Sequence, residues 1–207
     1  MLIFGVSALA LALFAAWELR TRFPMLDLRY FKDRRYSVAS AGMMLTFFAM
    51  FGTFFLIAQY FQLVLGYSPL ESGLFQLPFA FVIMGVSPQV PKLVVRFGPA
   101  RVVPVGLLSV AVGLAAFSTL GVDSPVLRVY TSILPLAFGM ALTMTPLTTL
   151  IMSSIPLGKA GVGSATNDTT RELGGALGVA VLGSLVTTTF SSHLGSSVSA
   201  LPAAARE

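Results

Sequence analysis

Residues 38–65 read Val38-Ala-Ser-Ala-Gly-Met-Met-Leu-Thr-Phe-Phe-Ala-Met-Phe-Gly-Thr-Phe-Phe-Leu-Ile-Ala-Gln-Tyr-Phe-Gln-Leu-Val-Leu65, 28 residues without one charged side chain. About 20 apolar residues in a helix cross a bilayer, so this run predicts a membrane span. The segment before it is its opposite: residues 18–35 carry Glu18, Arg20, Arg22, Asp27, Arg29, Lys32, Asp33, Arg34 and Arg35. An uncharged run beside a basic cluster is the pattern of a span and its cytoplasmic loop.

The rest of the chain repeats the pattern. Its 207 residues are 56% apolar and 10% charged, with a mean hydropathy of +0.87. A soluble domain carries roughly 25% charged residues, so this composition argues against a water-soluble globule and excludes a disordered chain. The net charge of +5 and pI near 10.0 could suggest a nucleic-acid binder, but the basic residues are gathered in loops between apolar runs, and nucleic acid is not an expected partner. Cysteine is absent, which removes disulfides, thiolate metal sites and a Cys nucleophile.

Six runs are long and apolar enough to span: 2–17, 38–65, 73–95, 102–120, 129–152 and 173–190. The expected fold is therefore all-α, a polytopic membrane protein of six transmembrane helices. The first run measures only about 24 Å as a helix, and no basic residue precedes it as a secretory signal requires; it reads as a span whose beginning is missing. The loop after it holds Arg20, Arg22, Arg29, Lys32, Arg34 and Arg35. Lys92, Arg96 and Arg101 lie in the third connection, and Lys159 and Arg171 in the fifth. That places 11 of the 13 basic residues on one side, and positive-inside puts both chain ends outside the cytoplasm. The outer turns at residues 66–71 and 121–125 are short and rich in Gly and Pro. The Ser-, Gly- and Ala-rich residues 191–207 are expected to be a disordered tail.

The third run contains Pro78, Pro88 and Pro91, and the fifth Pro135 and Pro146 around Gly139; proline kinks membrane helices whose neighbours satisfy the freed carbonyl. Gly174 and Gly178, four apart in the last run, suit close helix packing. The second run carries Phe51 among many aromatics, and its outer part holds Gln59, Tyr60 and Gln62. Amides in lipid are costly unless paired or facing water, so these three either line a polar-aromatic cavity or bond to another helix. No carboxylate falls at mid-depth of any run, with Asp168 and Glu172 assigned to the cytoplasmic side. His193, the one histidine, follows the last run as a surface residue. No metal, cofactor or catalytic motif is present. Gly161-Val-Gly-Ser164-Ala faintly suggests a serine nucleophile, but Ser164, Thr166 and Asn167 read better as helix-capping material, and no enzymatic activity is expected.

Three segments carry a resemblance. Gln59-Tyr-Phe-Gln-Leu-Val-Leu-Gly66-Tyr-Ser-Pro-Leu-Glu-Ser-Gly73-Leu-Phe-Gln-Leu-Pro78 resembles the signature joining two helices in EmrB/QacA-type drug exporters, the fourteen-helix drug:proton antiporters of the major facilitator superfamily. Pro24-Met-Leu-Asp-Leu-Arg29-Tyr-Phe-Lys-Asp-Arg-Arg35 resembles that family's loop after the second linker helix. Gly161-Val-Gly-Ser-Ala-Thr-Asn167-Asp-Thr-Thr-Arg171-Glu-Leu-Gly174-Gly-Ala-Leu-Gly178 is similar to its penultimate helix. Arg96 and Gly98, with Arg101 after them, also fit the superfamily's cytoplasmic loop motif, although Val95 stands where that motif has Asp.

The resemblance implies a linker helix and basic loop over residues 1–36 and an incomplete five-helix C-terminal transporter bundle over 37–190. The N-terminal bundle, as the expected partner, would carry the coupling carboxylates. It implies a part of a proton-coupled multidrug efflux transporter in the lipid bilayer of a bacterial plasma membrane, taking hydrophobic or amphipathic small molecules and no cofactor. Gln59, Tyr60, Gln62, Phe51, Thr143 and Met144 are the expected cavity contacts. The alternative is a truncated, non-transporting membrane remnant or a helix-packing partner.

Overall fold

The computed structural model describes residues 2–21, 28–121 and 124–199. Arg22, Asp27, Asp123, the side chain of His193 and residues 200–207 lie outside the described residues. The elements are α1 (Leu2–Arg20), α2 (Arg34–Gln59), α3 (Pro69–Phe75), α4 (Leu77–Val86), α5 (Val90–Phe97), α6 (Pro99–Phe117), α7 (Val126–Ser153) and α8 (Ala160–Ser199). Among the described residues there is no strand. Among the described residues five helical stretches are long and apolar enough to cross a membrane: Arg34–Val64, Pro69–Phe97, Pro99–Phe117, Val126–Ser153 and Leu157–Phe190. The 19-residue α1 is a sixth apolar helix. It packs mainly on the short turn Leu28–Lys32 and leaves Trp17 72% exposed.

Local chemistry sets most boundaries. Asp33 caps α2 by accepting the Arg35 N–H at 2.7 Å, while Ser37 Oγ donates to the Phe31 carbonyl. At its far end α2 widens into one π-helical turn, Tyr60–Val64, and the chain reverses at Gly66, whose φ of +70° favours glycine. Ser68 and Glu71 then form a reciprocal capping box at the start of α3.

The third predicted span, 73–95, is not one helix. Pro78 opens α4, Pro88 sits in a 3-10 turn at Ser87–Gln89, and Pro91 opens α5. Each proline lacks an N–H, and each favours the first turn of a new helix over the interior of an old one. By contrast α7 runs unbroken through Pro135 and Pro146, because its neighbours hold it on several sides.

The larger departure is in the last span. Helix α8 begins at Ala160, not at 173, so Ser164, Thr166 and Asn167 lie inside it and cap nothing. Thr166 Oγ1 donates to its own helix, to the Val162 carbonyl at 2.9 Å. The helix continues to Ser199, so residues 191–199 of the expected tail are helical.

Two helix pairs make the bundle, α2 with α8 and α6 with α7, and α7 joins them by packing on α2 and α4. Near the end away from the basic residues the core holds Ile57, Phe61, Phe79, Val110, Val129, Ile133 and Leu136. Near the basic end it holds Tyr36, Ala39, Met43, Phe47, Leu147, Ile151 and Ile155. Large apolar side chains elsewhere, among them Leu63, Met84, Leu108 and Leu127, are exposed, as helices solvated by lipid require.

Candidate functional site

Helices α2 and α8 are parallel and held in one register. A Cβ on Gly52 would lie 2.5 Å from Leu182 Cδ1 and 3.1 Å from the Gly178 carbonyl oxygen. Gly174 and Gly178 abut the backbone carbonyls of Met44 and Phe48, and a Cβ on Gly175 would lie 3.0 Å from the Phe51 ring. The partners 174/44, 178/48 and 182/52 each stand 130 residues apart. Small residues at four-residue spacing let the two backbones meet with almost no side chain between them.

Beside this contact lies a groove of about 620 Å³ lined by Phe47, Phe51, Asp168, Arg171, Glu172, Gly175, Ala176 and Val179. Arg171 dominates it. Its guanidinium lies 5.2 Å from the centre of the Phe47 ring, and its Nη2 donates to Thr148 Oγ1 of α7 at 3.1 Å. Its Nε is buried with no hydrogen-bond partner, and so is Asn167 Oδ1 one turn earlier. Phe47 and Phe51 stack at 6.1 Å and 27°. A cation inside a bundle is costly unless compensated, and here a ring face and one hydroxyl replace an ion pair.

By the α2 register Arg171 stands level with Ala41, about 10 Å along the helix from Arg34. Asp168 and Glu172 are therefore on the body of a continuous helix, not in a loop. The groove offers stacking surface, one cation and two carboxylates on one wall. That chemistry suits an organic molecule with both apolar and polar parts.

The other expected contacts fall in different places. Gln59 ends α2 half-buried, and Gln62 is exposed on the π-turn; such turns recur at functional sites. Tyr60 is half-buried, and its hydroxyl donates to the Gly121 carbonyl at 3.1 Å, with that of Ser124 at 3.5 Å. Met144 is half-buried between both parts of the core. Thr143 is fully buried. Its hydroxyl donates to the Gly139 carbonyl at 3.0 Å and its methyl group faces Gly106 of α6, so it lies in a packing interface. The structure thus brings Phe51 to the α8 groove and sets Gln59, Tyr60 and Gln62 about 12 Å or more farther along α2.

At the basic end Gly98 joins α5 to α6 with φ +78° and ψ 152°, a conformation essentially limited to glycine. Arg96 lies over the Phe97 ring at 5.2 Å, Arg101 is exposed, and Val95 is 89% exposed.

Sequence reasoning missed Asp168 and Glu172 as groove companions of Phe51, and Thr148 as the partner of Arg171. The usable signal was the spacing 168, 171, 172, 175, 176 and 179, one stripe of a helix begun earlier than hydropathy suggests. Among the described residues no group of acidic or histidine side chains could hold a metal ion.

Apolar helices with basic connections and exposed, lipid-type surfaces define an integral membrane protein. Residues 1–179 match the family described as Major Facilitator Superfamily, and the chain belongs to that superfamily. It is 36% identical over 188 residues to the multidrug resistance protein Stp of Mycobacterium tuberculosis, covering 91% of this chain and 35% of Stp. It is 34% identical over 191 residues to the multidrug efflux pump LfrA of Mycolicibacterium smegmatis, covering 92% of this chain and 38% of LfrA. With the tetracenomycin C resistance and export protein of Streptomyces glaucescens it shares 34% over 182 residues, covering 88% of this chain and 34% of that protein. These relatives are bacterial, and the chain spans about a third of their length.

Proposed function

We propose that this chain forms part of the second half of a multidrug exporter of the EmrB/QacA type. The observation that carries the reading is the match along nine-tenths of the chain to proteins named as drug efflux and resistance proteins. The remainder of the transporter, on the same polypeptide or another, supplies the opposing bundle, and the two rock about a site between them.

Hydrophobic or amphipathic molecules are the substrates. Phe51 contacts them from the groove on α2 and α8, Gln59, Tyr60 and Gln62 contact them farther out, and Met144 adds an adaptable thioether. Thr143 is a contact only in a state where α6 and α7 part. Proton antiport drives export, with coupling carboxylates in the opposing bundle. The Gly98 turn, with Arg96 and Arg101, sets the basic-side end of α5 and α6 during the rocking motion.

The test is ethidium efflux from a drug-sensitive bacterial strain. The chain expressed with the remainder of the transporter should lower intracellular dye, and the 207-residue chain alone should not. Robust efflux by the chain alone would refute this reading. No efflux in either arm would favour a non-transporting helix-packing protein.

A further inference from the structure

A second groove, of about 850 Å³, opens at the basic end of the bundle between α2, α6 and α7. Its walls are apolar: Val38 and Ala39 of α2, Val103 and Pro104 of α6, and Leu147 and Leu150 of α7. Asp33, Arg34 and Arg35 stand at its mouth. Neither arginine side chain makes a hydrogen bond or ion pair with another described residue. The Asp33 carboxylate is engaged by the Arg35 backbone N–H at 2.7 Å.

Three features of this groove point to one kind of occupant. The walls accept hydrocarbon and the mouth accepts an anion, which are the two ends of an anionic lipid. The position is the basic end of a membrane bundle, where such headgroups lie. Ala100 also lines the groove, and Pro104, having no N–H, leaves the Ala100 carbonyl without its usual helical donor. That carbonyl is an acceptor for a headgroup hydroxyl.

We propose that this groove is a binding site for an anionic glycerophospholipid of the phosphatidylglycerol kind. One acyl chain lies along Val38, Val103, Leu147 and Leu150, and the phosphate is held between Arg34 and Arg35. The lipid bridges α2 to the α6–α7 pair at an edge where side chains alone leave a gap. The site is separate from the α2–α8 groove and does not depend on what the protein exports.

The experiment is native mass spectrometry of the detergent-purified full chain titrated with phosphatidylglycerol, phosphatidylcholine or glycerol 3-phosphate. Phosphatidylglycerol should be retained at least tenfold more tightly than phosphatidylcholine, and glycerol 3-phosphate should not compete. The double variant Arg34→Gln/Arg35→Gln should weaken phosphatidylglycerol about 30-fold, on about 1 kcal/mol per surface arginine, and leave phosphatidylcholine unchanged. Val103→Trp, which fills the groove, should weaken it with both arginines in place. Lys92→Gln/Lys159→Gln removes equal charge from α5 and from the turn before α8 and should leave binding as it is. Equal retention of the two lipids, competition by glycerol 3-phosphate, or equal losses from the two double variants would each overturn the proposal.

Discussion

Gly106 on α6 faces Gly139 on α7 across an interface that leaves no room for a side chain: a Cβ on Gly106 would lie 2.9 Å from the Gly139 carbonyl oxygen. The Thr143 methyl group is nearer still, at 2.6 Å, and a Cβ on Gly139 would meet the Gly106 carbonyl oxygen and the Val110 nitrogen, backbone atoms that cannot swing aside. Gly106→Ala and Gly139→Ala should each destabilise the protein by about 1–3 kcal/mol, the usual cost of overpacking. Gly85→Ala, where nothing lies within 4 Å, should be neutral or slightly stabilising. Thermal unfolding in a mild detergent separates the three.

The α2–α8 interface should respond to a larger intrusion. Gly178 abuts the Phe48 carbonyl, so Gly178→Ile has to push the helices apart along their shared register. The absence of native cysteine makes cross-linking clean. A Cβ on Gly183 would lie 3.1 Å from the Phe55 ring, so cysteines placed at these two positions should join readily through a short bifunctional thiol reagent. Adding Gly178→Ile should cut the yield several-fold.

Gly98 carries φ +78° and ψ 152°. Gly98→Ala should cost about 1–3 kcal/mol through backbone strain alone. Gly98→Asn should not rescue it, because Asn tolerates the left-handed helical region and not this one. Gly73→Ala, in helical backbone with open space around it, is the control in the same denaturation assay.

Arg171 and Phe47 should be coupled. A double-mutant cycle with Arg171→Gln and Phe47→Leu should give about 1–2 kcal/mol, the range of a partly desolvated cation–π pair. Arg171→Lys should retain only part of it, since an ammonium lacks the planar fork that reaches both the ring and Thr148. A coupling near zero would mean that the cation is stabilised by Thr148 or solvent instead.

Tyr60→Phe deletes the hydroxyl that joins the π-turn to the loop after α6. Backbone amides around Gly121 and Ser124 should then exchange roughly five- to tenfold faster, as expected for a hydrogen bond worth about 1 kcal/mol.

Much of this was legible in the sequence, and the reasons for the gaps are physical. The uncharged run of α2 and the basic residues before it give the membrane class, because hydropathy and charge position are local properties. The start of α8 was hidden because Asp168, Arg171 and Glu172 look like loop charges when read alone. What admits Arg171 to a helix is the Phe47 ring, 124 residues away in the chain, and no local pattern reveals that contact. Three prolines in residues 73–95 foretold kinks but not where the helices would restart. The resemblance implied Thr143 as a cavity contact, and its packing against Gly106 of α6 is a long-range relation that no local pattern shows. The α8 stripe that lines the groove becomes visible only once the earlier start of the helix is known.

The constant offset between α2 and α8 has a consequence for biogenesis. The contacts 174/44, 178/48 and 182/52 join positions 130 residues apart. At about 5–20 residues per second of synthesis, α2 enters the bilayer on the order of ten seconds before its partner emerges. Through that interval the face formed by Met44, Phe48 and Gly52 is without its α8 cover. Substitutions there should reveal themselves first as failures of assembly and as degradation of newly made chains, before any change in the mature protein is measured.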